Sequence, residues 1–103
     1  MRVLTPEEAR DIGDLLGVEV IPEIDVVTGR RVQHVWRVRA NGVLLAEVEL
    51  GNTQARVWFR NGVHSYAERI RTLRTKKYQR AKAALKWGIR QALKGPSPRT
   101  EGH

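Results

Sequence analysis

The sequence predicts an α+β fold: a short N-terminal helix, a four-stranded, mainly antiparallel meander, and a long basic C-terminal helix packed on the sheet. Three observations predict it. Apolar residues recur at helical spacing over 9–16, alternate from Val18, and return to helical spacing from Tyr66. Turn signals at Thr28-Gly29, Asn41-Gly42, Gly51-Asn52 and Asn61-Gly62 divide the alternating stretch. A chain of 103 residues, 41% apolar and 29% charged, suits one domain around one core. That domain is expected over 1–94. Residues 95–103, rich in Gly, Pro and Ser, read as a disordered tail.

Thr5-Pro6-Glu7-Glu8 starts the first helix. Thr5 can cap, Pro6 suits the first helical position, and Glu8 stands three after Thr5 as a capping box needs. Ala9, Ile12, Leu15 and Leu16 form its apolar stripe, and Gly17 offers a left-handed C-cap, so the helix spans about 6–16. Strands are expected at about 18–27, 32–40, 43–50 and 55–60. Pro22 cannot donate to a ladder, so the first strand belongs at an edge or breaks there. In the hairpin at Asn41-Gly42 a three-residue loop is favoured, pairing Ala40 with Leu44. It sets Trp36, Val38 and Ala40 against Val48, Ala46 and Leu44, with Arg37 opposite Glu47. Trp36 and Trp58 are expected in the core.

Ser65-Tyr66-Ala67-Glu68 matches a second capping box, and a helix could run from there to Lys94, where Gly95-Pro96 stops it. Tyr66, Ile70, Leu73, Ala81, Ala84, Leu85, Ile89 and Ala92 fall on one face. Arg71, Arg74 and Lys77 interrupt it, so the segment either bends near Thr75, which would cap a second helix, or stays straight and leaves the core there.

Charge carries the functional signal. Residues 1–51 hold six Lys/Arg and nine Asp/Glu, a net −3; residues 52–103 hold thirteen Lys/Arg and two Asp/Glu, a net +11. Arg69, Lys76, Arg80, Lys82, Lys86, Arg90 and Lys94 lie on the side of the predicted helix away from its apolar face, with no acid in 69–94. Like charges at i,i+4 repel, so this row weakens the isolated helix; cations stepping along a helix can meet successive phosphates. Trp87 stands beside them. It is either a stacking platform for a base or a residue packed on the sheet or on a dimer partner.

The absences are also informative. Without Cys there is no disulfide, Cys-ligated zinc or thiol nucleophile. His34, His64 and His103 lack partners at metal-ligand spacing. No nucleophile elbow or Gly-rich phosphate loop occurs, and most carboxylates sit in a first helical turn or on strand surfaces. No enzymatic activity, cofactor or metal is therefore expected. No apolar run approaches the roughly 18–20 residues of a membrane span, and the first residues lack an apolar signal core, so the expected compartment is the cytoplasm.

The stretch Trp36-Arg37-Val38-Arg39-Ala40-Asn41-Gly42 resembles the second hairpin of double-stranded RNA-binding domains. Thr75-Lys76-Lys77 to Ala81-Lys82-Ala83-Ala84 resembles the start of that family's basic helix. The resemblance is local. The family passes from its third strand almost directly into the basic helix, whereas about 24 residues intervene here.

The expected function is non-catalytic binding of DNA or RNA with low sequence specificity, through Arg69, Lys76, Arg80, Lys82, Lys86, Trp87, Arg90 and Lys94. The alternative is an interaction module or small inhibitor docking on an acidic surface of a larger protein. Fourteen Arg against five Lys suit a GC-rich genome, and a short basic chain suits a bacteriophage accessory protein.

Overall fold

The computed structural model describes residues 4–51, 53–61, 64–72 and 81–96, and among these the side chains of all but Gln33, Asn61, residues 64–68, Arg71 and Thr72. The chain runs α1 (Pro6–Leu16), β1 (Glu19–Ile24), β2 (Arg31–Ala40), β3 (Val43–Leu50), β4 (Gln54–Asn61), β5 (His64–Thr72) and α2 (Ala81–Lys94). It is α+β, as the sequence predicts.

The local chemistry of α1 is as expected. Thr5 Oγ1 accepts from the Glu8 backbone N–H at 3.1 Å, and Glu8 Oε1 accepts from the Thr5 N–H at 3.1 Å. Together they satisfy two of the helix's orphan donors. Gly17 ends the helix at φ +75°, a conformation that costs a side-chain-bearing residue but not glycine.

The strands form one antiparallel sheet in the order β1-β2-β3-β4-β5. Among the described residues β1 is an edge, consistent with Pro22 lacking an N–H. Both helices cover one sheet face, α1 over β1 and α2 over β3 and β4, and they touch each other. The core lies between the layers. Val20, Trp36, Val38, Ala46, Val48, Leu50, Ala55, Val57 and Phe59 face Ala9 and Ile12 of α1 and Ala81, Ala84, Leu85, Ile89 and Ala92 of α2. Trp36 is 1% exposed, and the Arg31 guanidinium lies 4.9 Å from its ring centroid while Arg31 Nη2 donates to the Leu4 carbonyl at 3.1 Å.

The helices approach the sheet through glycines. A β-carbon on Gly13 would stand 2.8 Å from both the Val18 carbonyl oxygen and Val20 Cγ2, and one on Gly88 would stand 2.4 Å from Val48 Cγ1. Each spends helix propensity, roughly 1 kcal/mol against alanine, on a closer contact.

Several expectations need correction. The described residues place five strands in the sheet, not four. The predicted helix from Ser65 is instead β5, paired with β4 from Asn61↔His64 to Gln54↔Thr72, so Ser65 starts no helix. The C-terminal helix is 14 residues, and residues 73–80, with the predicted bend near Thr75, lie outside the described residues. Five strands also depart from the order that the double-stranded RNA-binding resemblance implies. Trp58 is not core: it is half-buried on the sheet face away from the helices, where its Nε1 donates to Glu49 Oε1 at 3.0 Å.

The β2–β3 hairpin is corrected at its tip and upheld in its body. Its turn has two residues, Asn41 at φ +52° and Gly42 at φ +77°, with Ala40 paired to Val43. Two positive φ values are what a primed turn requires, and they match the right-handed strand twist. An irregularity between Val38 and Arg39 then shifts the ladder by one residue, so Trp36↔Val48, Val38↔Ala46 and Arg37↔Glu47 pair as predicted. Of the tail, Gly95 at φ +74° caps α2, its N–H bonded to Ala92 O, and residues 97–103 lie outside the described residues.

Candidate nucleic-acid interface

The side chains of α2 divide cleanly. Ala81, Ala84, Leu85, Gly88, Ile89 and Ala92 are buried, and Lys82, Arg90 and Lys94 are exposed with Lys86 half-buried. At about 100° per residue, each step from Lys82 to Lys86, Arg90 and Lys94 turns about 40° around the helix and climbs about 6 Å. No acid occurs in α2.

These cations are not equivalent. Lys82 Nζ lies 3.3 Å from Glu8 Oε2, so the Glu8 carboxylate both caps α1 and ties it to α2. Among the described residues no carboxylate lies within ion-pair distance of Lys86, Arg90 or Lys94. Arg69 is on β5, not on a helix; its Nη1 donates to the Gln91 carbonyl at 2.8 Å and its guanidinium lies 5.6 Å from the Phe59 ring centroid. It joins the strand to α2, and its place in the predicted binding face is withdrawn. Lys76 and Arg80 lie outside the described residues. Trp87 is half-buried against the margin of the core, which answers the packing reading more than that of an open platform.

The opposite face of the sheet holds cations of a different kind. Arg60 Nη2 lies 2.8 Å from Glu47 Oε1, Arg37 Nε 3.7 Å from Glu23 Oε2, Arg56 Nη1 3.9 Å from Glu49 Oε1, and Arg39 Nη1 4.0 Å from Glu19 Oε1. Arg37 and Glu47 stand opposite as expected, but each ion-pairs elsewhere, Arg37 with Glu23 and Glu47 with Arg60, in a cluster of four. Burial pushes the Glu23 carboxyl above its usual range. The Glu47 charge and a hydrogen bond with Glu47 push the same way, while Arg37 and Arg60 oppose it. Sequence pairing rules found Arg37 and Glu47; Glu23 joins them because it follows Ile21, the strand partner of Arg37, by two residues and so shares its sheet face, although the ladder shifts after Pro22, where the sequence allows a break.

Electrostatically the helical layer is split. Beside the basic α2 stands α1 with Glu7, Glu8, Asp11 and Asp14 against Arg10 alone. The Glu8–Lys82 contact marks the seam. No family model, curated protein or solved structure matches this chain.

Proposed function

We propose that this chain is a non-catalytic nucleic-acid-binding protein that holds backbone phosphates along α2 with Lys86, Arg90 and Lys94. One contrast carries the reading. Arg37, Arg39, Arg56 and Arg60 on the sheet each have a carboxylate within 4.0 Å, while these three helix cations have none among the described residues. Those four strand cations are balanced locally; Lys86, Arg90 and Lys94 leave charge for a partner. Contacts to phosphate carry no direct base information, so sequence specificity is low.

The test is a fluorescence titration across salt concentrations with wild type and the triple variant Lys86→Gln, Arg90→Gln, Lys94→Gln. Losing three phosphate contacts should flatten the log–log salt slope by about two units on a single strand and nearly three on a duplex. The fold should persist, since none of the three is in the buried stripe. Absence of wild-type binding to either form near physiological salt overturns the reading. An acidic protein surface then becomes the better partner.

A further inference from the structure

We infer that the nucleic acid bound along α2 is single-stranded in preference to duplex; this rests on the reading above and goes further by naming the form of the ligand. The observation is the acidic helix beside the basic one. Glu8 and Lys82, 3.3 Å apart, hold α1 against α2, and packed helices keep their axes about 8–10 Å apart. On α1, Glu7, Asp11 and Asp14 are exposed. Turning about 100° per residue from the buried Ala9, Ile12 and Gly13 puts Asp11 on the flank shared with Glu8, toward α2, and Arg10 and Asp14 on the far flank.

A duplex brings two phosphate rows. A helix in its major groove has a phosphate wall on each side, the groove being about 12 Å wide. One wall would then lie over α1 and its carboxylates. That separation is close to the Debye length of about 10 Å at 0.1 M salt, so the repulsion persists under ordinary conditions. A single strand brings one row and avoids it. The α2 cations also lead away from α1, since each successive one from Lys82 to Lys94 stands about 40° further round the helix. Trp87 falls on that same far flank, half-buried against the margin of the core. Single-strand sites commonly combine such a basic track with an aromatic edge.

The experiment measures anisotropy of the full chain with a labelled oligothymidylate and with a labelled duplex of equal length. Wild type and the variant Asp11→Asn are compared, and each is checked for its fold by circular dichroism. Wild type should bind the single strand about tenfold more tightly at 0.1 M salt, with the ratio shrinking as salt screens the acids. The variant should gain about twofold more affinity for duplex than for single strand. Duplex bound as tightly as single strand by wild type, or equal gains for both forms in the variant, overturns this inference and leaves the proposed function standing. Binding to neither form overturns both. Should the variant fail to fold, the wild-type ratio and its salt dependence decide alone.

Discussion

Gly88 and Val48 touch so closely that a β-carbon on residue 88 would stand 2.4 Å from Val48 Cγ1 and 2.8 Å from Val48 Cγ2. The nearest atoms belong to a short branched side chain that is fully buried, with little room to turn away. Gly88→Ala gains about 1 kcal/mol of helix propensity and loses about 1–3 kcal/mol to overpacking. The expected net effect is destabilisation, read as a lower urea midpoint. Val48→Ala in the same chain should relieve the clash. A double-mutant cycle should therefore show favourable coupling between the two changes.

Trp36→Ala should cost about 3–5 kcal/mol, because the ring is 1% exposed and carries the Arg31 guanidinium on its face. Equilibrium unfolding measures this. A near-neutral result would contradict the hairpin register described above.

Asn41 holds a left-handed backbone at φ +52°. Asn41→Gly should leave stability within a few tenths of a kcal/mol or raise it, and Asn41→Val should lower it by about 1–2 kcal/mol. Thermal melts of the two variants separate them.

Glu23 supplies a pH dependence. Its folded-state carboxyl keeps its proton above the ordinary 4.5. Its contribution is therefore fully present below about pH 4.5 and is lost as pH rises through the raised value. Glu23→Gln removes that loss. The variant should be more stable than wild type at pH 7, and the gap should close as pH falls below 4.5. Denaturant midpoints across that range test the sign.

The α2 cations should separate when changed singly. Lys86→Gln, Arg90→Gln and Lys94→Gln should each reduce the single-strand salt slope by about 0.7. Lys82→Gln should move it less, since Glu8 already occupies the ammonium group. Arg69→Gln should leave the slope alone and cost about 1–3 kcal/mol of stability through the lost bond to the Gln91 carbonyl.

What the sequence disclosed follows from how local each feature is. The Thr5–Glu8 capping box, the Gly17 cap and the stop after Lys94 each depend on a few adjacent residues, and all are present. The pairing of Trp36 with Val48 was legible because one face had to be apolar. The stretch 64–72 reads as a helix in the sequence because Ser65 and Glu68 fit a capping box and Tyr66 and Ile70 suit a helix as well as a strand. Pairing with β4 decides it, and Asn61-Gly62, a turn signal that closes the fourth strand in the sequence, is equally a hairpin signal. Arg69 falls among the helix-face cations in the sequence for the same reason; in the structure it bonds a carbonyl 22 residues later. Gly88 could have been found, since an isolated glycine inside a helical pattern points to a close packing contact.

The β2–β3 hairpin carries one residue more on β3 than its tight turn and its inner pairs require, taken up beside Arg39. The same inner pairs would form if that residue sat in the loop instead. Chain length at the tip is thereby uncoupled from the charge pattern further down. Loss of one residue around Leu44–Leu45 would leave Arg37 facing Glu47 and Trp36 facing Val48, where the same loss between Ala46 and Val48 would turn the strand inside out. This hairpin tip is a place in the sheet where a change of one residue in length can be carried over generations without erasing the fold.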